Sequence, residues 1–139
     1  MQTVADLMTT KLLTLSANHS MKNVHDLITK KGIRHIPIMD EQNKHIIALV
    51  TQKVMVAKVV AILTAYGPQA LLEKEMRTPV LDIAVKDFDK VPPNMPLKDA
   101  AAYFLQNKYG CLTVVDENNH LVGMLTSSDF VKLSFSLLQ

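Results

Sequence analysis

Residues 36–43 read IPIMDEQN, and residues 112–119 read LTVVDENN. Each stretch is a short, mainly apolar run closed by an aspartate and a polar turn, which is typical of a buried strand followed by a tight connection. The same shift of 76 positions places residues 4–7 on residues 80–83. One extra residue near Lys44 changes the shift to 75, and IIALVTQKV (46–54) then aligns with LVGMLTSSD (121–129). The chain therefore contains an internal repeat of about 57 residues.

The order of secondary structure repeats as well. Met21, Val24 and Leu27 have the spacing of one helix face, and residues 97–105 show the same pattern. Each repeat is predicted to run strand, helix, strand, strand, helix. Gly67-Pro68 is expected to end a helix, with a short second helix over residues 69–76. We predict an α+β fold with repeat one at residues 1–60, a helical linker at 61–79 and repeat two at 80–139.

Composition excludes several classes of protein. The chain has 139 residues and a net charge of +2, which gives no indication of nucleic-acid binding. Cys111 is the only cysteine, so no internal disulfide is possible, and the five histidines lack metal-ligand spacing. No signal peptide and no apolar stretch of about 18 residues is present, so we expect no membrane span and a cytoplasmic location. No catalytic nucleophile, metal or obligatory cofactor is predicted.

The last helix of each repeat is apolar around most of its circumference. These segments read VMVAKVVAIL (54–63) and FVKLSFSLL (130–138). A helix of this kind must be buried on more than one side. Because one small repeat cannot supply that cover, the two repeats are expected to pack together and the remaining surface to meet a second copy, as a homodimer.

At this point the sequence resembles the CBS-domain family, in the tandem arrangement called a Bateman module. The resemblance rests on six segments spread over nearly the whole chain: VADLM (4–8), RHIPIMD (34–40), ALVT (48–51), VLDI (80–83), VPPNMPL (91–97) and GMLTSSD (123–129). It implies an α+β fold of two β-α-β-β-α CBS repeats packed pseudo-symmetrically as a CBS pair. It also implies two equivalent clefts for adenosine-containing ligands, namely AMP, ADP, ATP or S-adenosylmethionine, and a regulatory rather than an enzymatic role toward an unidentified partner protein.

In the family each cleft takes its front from one repeat and its Thr-x-x-Asp segment from the other. The resemblance therefore implies a first cleft formed by eight residues: Thr14, Ile33, Arg34, His35, Pro37, Gly123, Thr126 and Asp129. An ionised Asp129 can accept hydrogen bonds from both ribose hydroxyls, and Arg34 offers a fork of donors to phosphate. Gly123 lets the backbone come close to a ligand because it has no Cβ.

The second cleft departs from this pattern. Val54 stands at the position of the acid, and Ala48 at the position of the glycine. Lys90, Gly110 and Cys111 replace Thr14, Arg34 and His35. We therefore expect one competent site in each chain.

Two alternatives remain open at the level of sequence. Thr126-x-x-Asp129 is also a capping-box pattern at the start of an apolar helix, and the two roles are compatible. The whole chain can also be a ligand-free dimerisation domain with a degenerate nucleotide site. An enzyme subunit whose catalytic part lies on another chain is a weaker third possibility.

Overall fold

The computed structural model describes residues 2–42, 44–106 and 110–139. Its first half contains α1 (Val4–Leu7), β1 (Leu15–Ser16), α2 (Met21–Lys31), β2 (His35–Met39), β3 (Ile46–Thr51), α3 (Gln52–Tyr66) and α4 (Leu71–Arg77). The second half contains β4 (Lys90–Val91), α5 (Leu97–Gln106), β5 (Cys111–Val115), β6 (Leu121–Thr126) and α6 (Ser127–Leu137). The predicted order of strand, helix, strand, strand, helix is confirmed in both repeats, and so is the α+β class.

Local chemistry explains the predicted breaks and turns. Gly67 follows α3 with a φ of 84°, and Pro68 begins a short 3-10 turn that leads into α4. After β2, Asp40 Oδ1 accepts a hydrogen bond from the Gln42 N–H at 2.9 Å, and Asp116 Oδ1 does the same for Asn118 after β5. An aspartate that bonds the backbone two residues ahead closes a turn in this way. Asn43, the last residue of the first predicted turn, lies outside the described residues.

The compact units of the chain cut across the sequence repeats. The continuous unit is Leu13–Asp87, and the discontinuous unit joins the segment that ends at Leu12 to Phe88–Gln139. The reason is an exchange of leading segments. Thr9, from the start of repeat one, forms a β-bridge with Met124 in β6, and Val85, from the start of repeat two, forms one with Leu49 in β3.

Each unit has its own three-stranded sheet and apolar core. In the continuous unit the order is β1-β2-β3, and in the discontinuous unit it is β4-β5-β6. The first pair of each sheet is parallel and the second antiparallel. Ile36, Ile38 and Val50 lie at the centre of one core, and Leu112 and Leu125 at the centre of the other. The amphipathic helices α2 and α5 pack on these cores with the faces that their apolar spacing predicts.

A buried hydrogen bond between side chains ties α4 to α2 in the continuous unit. The Glu75 side chain is almost fully buried, and its Oε2 lies 2.8 Å from His25 Nδ1. Burial of a carboxylate is costly unless it has such a partner. The position of α4 against α2 is therefore set by this contact as well as by apolar packing.

Among the described residues, no single helix is long and apolar enough to cross a membrane. The helical segments Gln52–Tyr66 and Pro68–Arg77 pass that test only as a pair, bent by 119°.

Candidate functional site

Thr126 and Asp129 lie at the junction between β6 and α6. Thr126 is the N-cap residue of α6, and its N–H donates to Asp129 Oδ2 at 2.8 Å. The Thr126 hydroxyl lies 2.7 Å from the hydroxyl oxygen of Ser128. The capping box predicted from the sequence is present, and it places a carboxylate on the positive end of the helix, where the dipole favours it. Capping therefore fixes the backbone and side chain of Asp129 together.

Asp129 has a second donor from a distant part of the chain. The Thr9 hydroxyl donates to Asp129 Oδ1 at 3.0 Å, although the two residues are 120 positions apart. The Asp129 residue is only 5% exposed. The Thr126 hydroxyl also donates to Oδ2, at 3.4 Å. A carboxylate offers about four acceptor sites, so Asp129 keeps acceptor capacity beyond the three bonds it accepts within the protein.

The Cys111 thiol lies in the same buried environment, at the start of β5 opposite Thr126. Burial, together with the negative charge of Asp129, raises the pKa of Cys111 to about 12. The thiol is therefore protonated at neutral pH and behaves as a small apolar group.

Gly123 is buried in β6 beside the N-terminal segment. A Cβ on Gly123 would lie 2.5 Å from Met8 Sδ and 3.1 Å from the Thr9 carbonyl oxygen. Contacts this short do not occur between real atoms, so the Met8 side chain occupies the space that the missing Cβ leaves. Packing inside the protein gives this glycine a reason that the sequence did not indicate.

Ile33, Arg34 and His35 follow the C-terminal end of α2. Gly32 ends this helix in the left-handed conformation, with a φ of 66° and its N–H bonded to the Ile28 carbonyl. The chain reverses there and delivers Arg34, which is exposed, to the start of β2. His35 is half-buried, and burial lowers the pKa of its imidazole, with a further contribution from the positive charge of Arg34. His35 is therefore mainly neutral at pH 7.

Thr14 and Pro37 belong to neighbouring segments of the same sheet, around β1 and in β2. Thr14 is exposed immediately before β1, and Pro37 is buried in β2 opposite Leu49. In the other sheet the residue equivalent to Pro37 is Thr113, whose N–H donates to the Asp89 carbonyl at 3.2 Å. Proline has no N–H, so the Leu13 carbonyl, beside Thr14, lacks this donor. The Leu13 carbonyl of repeat one thus lacks the backbone donor that the equivalent Asp89 carbonyl has in repeat two.

The corresponding end of repeat one is apolar. Thr51 caps α3 by accepting from the Val54 N–H at 3.2 Å, but Val54 stands where α6 has Asp129. Ala48 stands where β6 has Gly123, and Val85 bridges to Leu49 where Thr9 bridges to Met124. With Val85 in place of Thr9 and Val54 in place of Asp129, this side of the internal symmetry lacks both the bridging hydroxyl and the carboxylate.

The family follows from the chain as a whole. The CBS domain model matches residues 4–61 and again residues 76–136. The chain belongs to the CBS-domain family. Each matched segment contains one series of strand, helix, strand, strand and helix.

Solved CBS structures resemble this chain over nearly its whole length. The AcuB protein of Vibrio cholerae, named for acetoin utilization, is 33% identical with a TM-score of 0.80, over 99% of this chain and 93% of that one. CBSX2 of Arabidopsis thaliana, solved in complex with AMP, is 25% identical with a TM-score of 0.80 over the full length of both chains. A CBS domain pair solved with 5′-methylthioadenosine and S-adenosyl-L-methionine is 21% identical, with a TM-score of 0.76 over 97% of both chains.

The predicted site residues of this CBS pair fall into two groups. Gly123, Thr126 and Asp129 lie together in the discontinuous unit, whereas the other five lie in the continuous unit between Thr14 and Pro37. Sequence reasoning missed Met8 and Thr9, which contact Gly123 and Asp129. The signal was available in the repeat, because Thr9 and Asp129 both align with valines, Val85 and Val54. Within the described residues no cluster of His, Cys, Asp or Glu has the arrangement of a metal site.

Proposed function

We propose that this CBS pair is a regulatory module that binds one adenosine nucleotide per chain and signals its presence to a partner protein. The observation that carries the proposal is that Asp129, at the start of α6, is a buried carboxylate with hydrogen bonds to both of its oxygens. The equivalent residue at the start of α3 is Val54. A buried carboxylate is costly to keep where an aliphatic residue also fits the fold. CBSX2, which was solved with AMP, supports the choice of ligand class.

The family resemblance, which pairs the front of one repeat with the Thr-x-x-Asp segment of the other, supplies the residues of the proposed site. Asp129 accepts hydrogen bonds from the vicinal ribose hydroxyls through the acceptor capacity that Thr126 and Thr9 leave free. Arg34 binds the phosphate, and the neutral His35 and Ile33 contact the base. Thr14 and the Leu13 carbonyl beside it face the exocyclic amine, whose N–H groups require acceptors. This set of contacts favours adenine over guanine because guanine presents a carbonyl oxygen at the corresponding position.

The position of Arg34 makes AMP and ADP better first ligands than S-adenosylmethionine. Arg34 is exposed, and Lys30 and Lys31 lie in the last turn of the preceding helix. No ion pair to these three cations occurs among the described residues. Unpaired cations attract phosphate groups, whereas S-adenosylmethionine brings a positive sulfonium.

A homodimer is proposed to cover the apolar faces of the terminal helices. Val56 and Val60 on α3 are each more than half exposed, and so are Val131, Phe135 and Leu137 on α6. Large apolar side chains grouped on two helices mark an association surface. Sedimentation of the purified chain is expected to give twice the monomer mass, and Val60→Glu with Phe135→Glu is expected to give the monomer mass.

The first experiment is calorimetric titration of AMP, adenosine and GMP into the wild-type chain and into Arg34→Ala. We expect AMP to bind with one site per chain and GMP to bind at least tenfold more weakly. Arg34→Ala is expected to weaken AMP binding by about tenfold, equivalent to about 1.4 kcal/mol, and to leave adenosine binding unchanged, since only AMP carries the phosphate. Lys98→Ala is the matched control, because residue 98 is an exposed cation outside the proposed site.

A different result identifies the alternative function. If AMP, ADP, ATP and S-adenosylmethionine all leave the melting temperature unchanged while the dimer persists, the chain is a ligand-free dimerisation domain. A native-state ligand at about 100 times its dissociation constant adds about 2.7 kcal/mol to stability, so thermal shifts detect binding readily.

A further inference from the structure

Thr9 lies outside the residues that the family resemblance assigns to the site, yet it is hydrogen-bonded to one of them, Asp129. Its hydroxyl donates to Asp129 Oδ1 at 3.0 Å. Its backbone is fixed independently of that bond, since the Thr9 N–H donates to the Met124 carbonyl at 2.8 Å and the Met124 N–H returns a bond at 2.9 Å. The β-bridge therefore positions the Thr9 residue independently of the bond between its hydroxyl and the carboxylate.

The two residues that donate to Asp129 act on different oxygens. Thr126 donates to Oδ2 with its N–H at 2.8 Å and with its hydroxyl at 3.4 Å, and the Thr9 hydroxyl donates to Oδ1. Bonds to one oxygen alone leave the carboxylate free to rotate about its terminal torsion, which is a soft one. Bonds to both oxygens fix the plane of the carboxylate. A ligand that needs both oxygens in one orientation then meets a group that is already oriented.

The internal symmetry separates the role of the hydroxyl from that of the backbone. At the equivalent position, Val85 makes the same pair of backbone bonds with Leu49, at 2.9 and 2.7 Å. Anchoring of the leading segment therefore needs no hydroxyl. Where the helix start carries a valine, at residue 54, the bridging residue is a valine too. Where it carries Asp129, the bridging residue is a threonine.

We propose that Thr9 is a positioning residue for the ligand site, which acts by orienting the Asp129 carboxylate toward the ribose hydroxyls. The inference rests on the proposed nucleotide-binding function and extends it to the N-terminal segment. This segment belongs to repeat one by sequence but to the discontinuous unit by contact. Any displacement of the segment then changes ligand affinity through Asp129.

The test is calorimetric titration of AMP into Thr9→Val, Thr9→Ser and the wild-type chain, with melting temperatures measured without ligand. Thr9→Val reproduces the residue of the equivalent bridge, so the backbone pairing is retained. We expect it to weaken AMP binding by about fivefold to tenfold, because hydrogen bonds to charged groups are among the stronger ones in proteins. Thr9→Ser keeps the hydroxyl and is expected to stay within about twofold of wild type.

A double-mutant cycle distinguishes positioning from a general structural effect. In the Asp129→Ala background, Thr9→Val is expected to change AMP affinity by less than about twofold, since its target has gone. An equal loss in both backgrounds would overturn the inference, as would wild-type affinity in Thr9→Val. Should Thr9→Val fail to fold, Thr9→Ala takes its place in the cycle.

The outcomes also separate this inference from the function on which it rests. If the wild-type chain binds AMP and Asp129→Ala loses it, but Thr9→Val does not, the function stands and the role of Thr9 is refuted. If no adenosine ligand binds the wild-type chain, both are refuted. Non-additive loss with rescue by serine supports both.

Discussion

The first turns of α6 and α3 occupy equivalent positions in the two repeats and have the same local structure, but their side chains differ in polarity. Both helices follow the last strand of a three-stranded sheet, and both have a threonine at the N-cap. At α6 the third helical residue is Asp129, bonded to Thr126 and Thr9, and at α3 it is Val54. The fold accepts either set, so the fold alone does not require a carboxylate, a hydroxyl or a glycine there.

The same comparison explains the glycine. Gly123 leaves room for Met8, while at the equivalent positions the chain has Ala48 and Ala84. A glycine and a large residue stand at one junction, and two alanines stand at the equivalent positions of the other. The missing Cβ of Gly123 is what lets the longer Met8 side chain fit, as close packing demands. Polar function and steric fit at α6 thus involve the same short N-terminal segment.

The largest effect is expected from Asp129→Ala, which removes the difference between the two helix starts. AMP affinity should fall by at least tenfold, or about 1.4 kcal/mol, because both ribose hydroxyls lose their acceptor. The substitution also leaves the Thr126 N–H and the Thr9 hydroxyl without a partner, which should cost about 1–2 kcal/mol of unfolding free energy. Calorimetry and thermal unfolding measure the two losses separately.

The control for Asp129→Ala is Asp6→Ala. Asp6 accepts from the Gln2 and Thr3 N–H groups at 2.9 Å in the capping box of α1, within the same unit but outside the proposed site. Asp6 is exposed, so water replaces part of the lost bonds; Asp6→Ala should lower stability by less than Asp129→Ala and leave AMP affinity unchanged. Equal affinity losses in the two variants would mean that Asp129 acts through stability alone.

The next effect is expected from Gly123→Ala, which gives β6 the residue of β3. The new Cβ would overlap Met8 Sδ, so the N-terminal segment must shift, at a cost of about 1–3 kcal/mol in unfolding free energy. Adding Met8→Ala reproduces the Ala48 and Ala84 pair and should recover at least half of the loss. Denaturant unfolding of the single and double variants checks this, and a double variant no more stable than Gly123→Ala contradicts this role of the missing Cβ.

A smaller effect is expected when the polar pair is transplanted. Val54→Asp places a carboxylate at the start of α3, where its partner in the bridge is Val85. Combining it with Val85→Thr supplies the missing donor and should make the double variant about 1 kcal/mol more stable than Val54→Asp alone. We expect AMP to gain a second, weaker site, since Gly110 and Cys111 replace the arginine and histidine. A stoichiometry that stays at one would show that these front residues are indispensable.

Most of the fold was predictable from the sequence because the same order of apolar and polar residues occurs in both repeats. Apolar spacing, the Gly67-Pro68 break and the aspartates after β2 and β5 are local signals, and each was confirmed. The grouping of segments into compact units was not foreseen. It depends on Thr9 and Val85 pairing with strands of the opposite repeat, and non-local pairing leaves no periodicity in the sequence.

Part of the candidate site was predictable because the Thr126-x-x-Asp129 motif has two compatible roles, helix capping and ligand binding. Thr126 and Asp129 form the predicted capping box, and their role toward a ligand stays a prediction. Thr9 and Met8 were missed because a threonine and a methionine in an N-terminal segment carry no motif of their own. They become visible only when the aligned pairs Thr9–Asp129 and Val85–Val54 are compared as pairs rather than as single positions.

The smallest effect is expected from pH acting on His35, whose counterpart in the other sheet is Cys111. Burial and the charge of Arg34 lower the pKa of His35 in the folded chain below that of the unfolded chain. The unfolded state therefore binds more protons, and His35 lowers unfolding free energy as pH falls from about 6.5 through its folded pKa. His35→Gln cannot titrate and should lose less stability than wild type between about pH 7.5 and about pH 5, which spans the ordinary imidazole pKa. Urea unfolding across that interval measures the difference, with His45→Gln as a control on the same unit. Parallel pH dependence in wild type and His35→Gln would contradict the lowered pKa of His35 in the folded chain.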